Sequence, residues 1–323
     1  ISAAHPVLFQ NKGDPMRTET QMLDLILTTA QNDPRVRAVL MNGSRTVTGK
    51  SNGADPCGSP INQGDPCGAD PFQDFDIIYV VNDMVSFRAQ PDWIDCFGER
   101  MILQVPDEMD AGEDEYPLDQ HYGYLMQFMD GNRIDLGIHP IEKIDELYED
   151  SQTVVLLDKD GLLKPFPPAS NASYWVKPPT PKQFHDCCNE FWWVSPYAAK
   201  GLWRGQMFYA KHALETYIRP QLDQMVAWYI GLRHNWQVSV GSGGKYIPKY
   251  LELELCEQYL RTWAGPGESE NWDALLAMGP LFRHCALALA GELGYEYPHQ
   301  DDRRVSAHLL HVRALPRDAA EIY

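Results

Sequence analysis

Apolar side chains recur at three- and four-residue intervals through Leu23, Ile26, Leu27 and Ala30, predicting a helix from Thr18 that Pro34 stops near Asn32. The period then shortens. Val39-Leu40-Met41, running into Asn42-Gly43-Ser44, predicts a buried strand entering a tight turn. A second strand is expected over 74–81, where Ile77-Ile78-Tyr79-Val80-Val81 is too short and too β-branched to favour helix, and a third over 100–105. Tyr122 to Met129 and Arg133 to His139 flank Asp130-Gly131-Asn132, a hairpin turn signal. Residues 141–148 read as helical and 153–157 as extended.

Two stretches interrupt these patterns. Residues 46–71 are rich in Gly, Pro, Asp and Asn, with Asp-Pro-Cys-Gly starting at both Asp55 and Asp65, and read as a long inserted loop. Residues 165–180 hold Pro165, Pro167, Pro168, Pro178 and Pro179 and read as a linker. Beyond it the period becomes 3.6. Thr180, Pro181 and Gln183 form a capping box for a helix to about Val194. Ser195-Pro196 predicts the start of another reaching Arg219, Pro220 one toward His234, and further helices are expected at 247–263 and 270–293. The expected fold class is α+β: a mixed β-sheet domain with flanking helices (16–164), the linker, a helical bundle (181–312) and a tail (313–323). Residues 1–15, ahead of Met16, read as a non-native extension.

Composition narrows the function. With 44% apolar and 22% charged residues, the chain of 323 residues has the material for two folded cores. Its 27 Lys and Arg against 45 Asp and Glu give a net charge of -18, which argues against a nucleic-acid partner and favours a cationic small molecule. No run approaches the roughly 20 apolar residues of a membrane span. A cytoplasmic protein without a membrane partner is expected, as a monomer. Seven scattered cysteines show neither metal-ligand spacing nor a disulfide framework, and most are expected to be reduced, with Cys57 and Cys67 read as two thiols. Val240-Gly241-Ser242-Gly243-Gly244-Lys245 fails as a phosphate loop, because position 239 is Ser and Tyr246 follows the lysine.

The chemistry-bearing group is Gly43-Ser44-Arg45 after one strand, Asp74-Phe75-Asp76 opening the next, and Asp135 within Arg133-Ile134-Asp135-Leu136. Strand alternation puts Asp74 and Asp76 on one face. A third carboxylate on a neighbouring strand completes a negative patch that needs a cation, for which magnesium, shared with substrate phosphates, is the candidate. The glycine turn, a hydroxyl and a guanidinium fork suit phosphate oxygens. Each signal alone has a bland reading as turn or surface chemistry; their order on three strands favours a metal site.

These residues resemble the DNA polymerase β-like nucleotidyltransferases, and more closely the aminoglycoside 6-adenylyltransferases. The likeness extends through Trp93-Ile94-Asp95 to Gly98-Glu99-Arg100, Leu156 to Gly161, and Cys187 to Tyr197, from Met16 to about His311. The loop at 46–71 is longer than the family leads one to expect. The resemblance implies transfer of AMP from MgATP, as co-substrate, to the 6-hydroxyl of streptomycin. Asp74 and Asp76 would hold magnesium, Gly43, Ser44 and Arg45 would bind the nucleotide, and Asp135 would act as base or third metal ligand. On the helix from 181, Asp186, Glu190 and Trp193 share a stripe that could meet a guanidinium-bearing acceptor or simply be a solvated face. Lys200, Arg204 and Lys211 fall within about 40° of one another on one continuous helix; they are candidates for the triphosphate, with surface ion pairs as the competing reading. His139 reads as a structural histidine, and Trp192, Trp203 and Trp228 as core. Two alternatives stay open: a nucleotide-binding sensor of this fold without transfer, and transfer to another aminocyclitol.

Overall fold

The computed structural model describes residues 15–47, 70–110, 117 and 121–323. Residues 48–69 of the expected loop, with Cys57 and Cys67, and residues 1–14 lie outside the described residues. Two compact units divide between Ser173 and Tyr174, within the proline-rich stretch.

The first unit is built on a six-stranded mixed sheet. Along the chain come α1 (Glu19–Asn32), β1 (Val36–Asn42), β2 (Phe75–Val81), α2 (Met84–Ala89), β3 (Arg100–Gln104), α3 (Pro106–Asp110), β4 (Tyr122–Phe128), β5 (Arg133–Pro140) and β6 (Val154–Asp158). The spatial order is β3-β4-β5-β2-β1-β6; β2 and β5 run parallel and every other pair is antiparallel. Thr18 caps α1 reciprocally with Gln21, satisfying two otherwise orphaned N–H groups. Alternation decides the layers. Phe75, Ile77 and Tyr79 of β2 and Ile134, Leu136 and Ile138 of β5 bury one face against Met22 and Ile26 of α1 and Phe87 of α2. The Tyr79 hydroxyl donates to Ile26 O at 2.6 Å, so its buried polar end is satisfied. On the other face, Ala38, Leu40 and Val80 pack under Leu147 in a smaller cluster. The expected helix over 141–148 is a 3-10 segment, Ile141–Glu149, with a kink at Lys143.

The second unit is all helical: α4 (Pro181–Trp203), α5 (Met207–His212), α6 (Arg219–Arg233), α7 (Ile247–Tyr250), α8 (Leu253–Arg261), α9 (Glu268–Leu293) and α10 (His299–Ala314). The Thr180–Gln183 capping box forms as expected. The expected break at Ser195-Pro196 does not. Pro196 sits inside α4, where Ser195 donates its hydroxyl to Phe191 O at 2.7 Å and a buried stripe from Phe184 to Leu202 continues past it. Burial of that stripe outweighs the proline's missing bond, which by itself costs about 3 kcal/mol. The helix ends instead at Trp203, and Gly205, at φ +67°, turns the chain into α5. Gly201 lets α5 approach, since a Cβ there would lie 3.1 Å from Ala210 Cα. A π-helical segment, Ala213–Ile218, joins α5 to α6 just ahead of Pro220, whose ring and missing N–H disfavour ordinary helical bonding to the preceding turn.

Two further features differ from expectation. The expected helix at 247–263 is split, because Leu251 is extended. α10 escaped notice because its sequence is mostly polar and its period weak; Asp302, Leu309 and Val312 are its buried residues, and Asp302 is tied to Arg283 at 2.5 Å. By length and composition α9 could cross a membrane, although 56% of its apolar window is buried within the structure. Trp192 and Trp228 are core residues as expected, and Trp203 is partly buried with its N–H donated to Leu315 O. Cys96, Cys187, Cys188 and Cys285 are free thiols.

Candidate active site

The ends of three strands build the site. β1 finishes at Asn42, which is paired with Asp76 at the start of β2, and Asp76 is in turn paired with Asp135 near the start of β5. Parallel pairing of β2 with β5 thus places two aspartates side by side on the face opposite the main core, and Asp74 lies one residue before β2. One oxygen from each of Asp74, Asp76 and Asp135 falls within 4.8 Å of the others. Among the described residues this is the only such cluster of potential metal ligands.

The close approach is unfavourable by itself. Burial first, then the charges of Asp74 and Asp135, push the Asp76 carboxyl up to about 7. Arg133 offsets part of that repulsion: its Nε and an η-nitrogen donate to the two Asp135 oxygens at 2.7 and 2.6 Å, and Nε lies 3.9 Å from Asp74. Hard carboxylate oxygens gathered this closely, with negative charge left over, fit a divalent cation such as magnesium. The tight turn at Gly43 is part of the same construction. Gly43 has φ +77°, and a Cβ on it would stand 2.1 Å from Asp76 Oδ2, so both conformation and space demand glycine.

The predicted nucleotide set separates. Ser44 stays at the turn, its Oγ accepting from Gln73 Nε2 at 2.8 Å. Arg45, expected to offer its fork to phosphate, turns inward instead. Its side chain is 7% exposed, lies 3.9 Å from the Phe75 ring centroid, and donates to Asp74 O at 2.8 Å and Gln73 O at 2.6 Å. A guanidinium engaged in this way holds the chain that delivers Asp74 rather than a substrate. His139 is buried and bonded through Nε2 to Lys143 O, the structural role expected of it.

The cationic stripe does not form as expected. Lys200 is on α4, Arg204 is the residue capping that helix, and Lys211 is on α5 beyond the Gly205 turn, so the three share no single helical face. Lys211 directs its ammonium to Ala264 O, Gly265 O and Asn271 Oδ1, stitching helices together. Lys200 lies over the Tyr197 ring at 5.1 Å. Asp186, Glu190 and Trp193 are all exposed on α4, Trp193 to 64%, and Asp186 is paired with Lys182.

Comparison with known proteins decides the class. The sequence model of one family, streptomycin adenylyltransferase, matches residues 16–55 and 57–312. The chain belongs to that family. Among similar proteins, aminoglycoside 6-adenylyltransferase of Bacillus subtilis is 36% identical, covering 89% of this chain and 95% of that protein. Its namesake from Campylobacter jejuni is 34% identical, covering 89% and 93%. A crystal structure of an aminoglycoside 6-adenyltransferase from Bacillus subtilis aligns over 93% of this chain and all of its own, at 32% identity and a TM-score of 0.44. As a member of this adenylyltransferase family the chain is a nucleotidyltransferase, an enzyme acting on small-molecule substrates.

Arg133 and the structural use of Arg45 escaped the sequence reading. The alternation that pairs Asp74 with Asp76 also puts Arg133 on the face of Asp135, so that signal was available. Nothing in the sequence signalled that Arg45 would fold back under Phe75.

Proposed function

We propose that this enzyme transfers AMP from MgATP to the 6-hydroxyl of streptomycin, releasing pyrophosphate. The observation that carries the reading is the convergence of Asp74, Asp76 and Asp135 within 4.8 Å in a chain of this family. These three residues would hold magnesium, which when bound neutralises charge on the triphosphate. Asp135 takes the proton of the attacking hydroxyl or completes the metal's ligands. The hydroxyl oxygen bonds to the α-phosphorus as the bond to the β-phosphate oxygen breaks, and pyrophosphate carries away that electron pair. The Gly43 turn and the Ser44 hydroxyl are the nucleotide contacts we retain from this unit, with Arg45 assigned to positioning.

On the helical unit we assign the acceptor contacts to Asp186, Glu190 and Trp193. An exposed indole with carboxylates one and two turns before it on the same helix suits stacking and ion pairing with a guanidinium-bearing drug. Lys200 and Arg204 stay in the proposal as triphosphate contacts, whereas Lys211 is withdrawn because its donors are engaged.

Mass spectrometry tests the reaction and the acceptor together. Incubation with ATP and magnesium is expected to add AMP to streptomycin, and not to spectinomycin or kanamycin in parallel reactions. An adduct on another drug instead would reassign the acceptor, and no adduct on any of the three would overturn the reading.

A further inference from the structure

Two arginines lie beside the three carboxylates, and they are held in opposite ways. Arg45 is buried and fixed on backbone carbonyls. Arg133 is 43% exposed, and the ion pairs it makes are with Asp135 and Asp74, two of the three residues a divalent cation would require. Among the described residues no other ion pair reaches the triad. Arg133 opens β5 two residues before Asp135, with the buried Ile134 between them, so both side chains leave the same face of the strand.

The geometry with Asp135 is bidentate: two donors of one planar fork meet both carboxylate oxygens. Such a pair leaves Asp135 with neither oxygen free of a strong donor. A pair this accessible to water is also screened and holds only modestly, so a divalent cation can displace it. Arg133 lies on the face of β5 opposite Ile134 of the main core and is 43% exposed, so its long stem can move without disturbing that packing.

We propose that Arg133 is a positioning residue that acts as an internal counter-ion, pairing with Asp135 until a divalent cation displaces it, and so sets how tightly the triad takes up metal. The inference rests on the metal reading of the preceding section. In the metal-free protein the guanidinium limits carboxylate repulsion and keeps Asp135 aimed along the sheet face. On loading, the cation exchanges with it for the Asp135 oxygens, and uptake is weakened by the cost of breaking that pair and by the positive charge nearby.

The test is calorimetric titration of the full-length, chelator-treated protein with manganese(II) or magnesium chloride alone, without nucleotide or drug. Arg133→Gln removes the competitor and is expected to tighten binding by roughly threefold or more. Arg133→Lys keeps the charge but loses the fork, and its affinity is expected to fall between the two. In the metal-free state Arg133→Gln should melt below wild type and recover more on adding the cation. A merely structural role would lower the metal-free melt as well but weaken metal binding instead of tightening it, because a misplaced Asp135 binds metal less well. If the wild type binds and Arg133→Gln binds equally or more weakly, the counter-ion role is overturned and the metal reading stands. If wild type and both variants bind no more cation than Asp76→Asn, both fall. Should Arg133→Gln fail to fold, the lysine variant decides: affinity no tighter than wild type overturns the proposal.

Discussion

Asp76 is the residue on which the site's energetics turn. Burial together with two like charges lifts its carboxyl from near 4 to about 7. The sign follows from linkage: between those values the unfolded chain has lost a proton that the folded chain still binds, so folding stability declines as pH rises from about 4 to 7 and levels off above. In the metal-free protein, melting temperature should therefore fall across that window on account of Asp76, and a divalent cation should restore it at pH 7 and above. Asp76→Asn should flatten the Asp76 contribution and leave stability at pH 7 unchanged or higher, while lowering turnover by at least about 100-fold through loss of charge stabilisation at the phosphates. Thermal melts over pH with and without magnesium, alongside AMP transfer assays, check both halves. A variant with wild-type turnover would remove the metal-site assignment.

At the scale of elements, the chain just before β2 is held by Arg45 in addition to its own turn bonds to Asp70. The guanidinium donates to Gln73 O and Asp74 O while stacked on Phe75, tying the turn after β1 to the strand that carries Asp76. Arg45→Ala should leave two carbonyls without their donor and lower stability by about 1–3 kcal/mol in urea unfolding. Because the residue acts through Asp74, metal affinity should weaken with it, and lysine should rescue poorly for want of a fork. Unchanged metal affinity would confine Arg45 to folding. Much of this architecture was legible in advance: alternation put Asp74 and Asp76 on one face, Asp130-Gly131-Asn132 marked the hairpin, and the Thr180 capping box started the long helix. What sequence could not show was decided by contacts between distant residues. Pro196 reads as a helix start, yet the buried stripe from Phe184 to Leu202 carries α4 through it to Trp203, just before an inconspicuous Gly205 turns the chain. That single shift separated Lys211 from Lys200 and Arg204. The polar α10 lay below the threshold of any periodicity argument.

At the scale of the whole molecule, a net charge of -18 is a physical property with a kinetic consequence. A cationic acceptor approaching such a protein is attracted over several ångströms, whereas the anionic nucleotide is repelled, and both forces weaken as salt shortens the screening length from about 10 Å at 0.1 M to about 3 Å at 1 M. In the proposed mechanism the chemical step depends instead on contacts a few ångströms long inside the triad, which salt screens much less. Raising potassium chloride should therefore lower kcat/KM for streptomycin several-fold while kcat at saturation changes little, and kcat/KM for MgATP should hold steady or rise. Steady-state kinetics with each substrate varied in turn, at fixed free magnesium, separate these terms. Equal losses for both substrates would point to a general effect of salt on the site, and a salt-independent kcat/KM for the drug would mean that the acidic surface does not assist its capture.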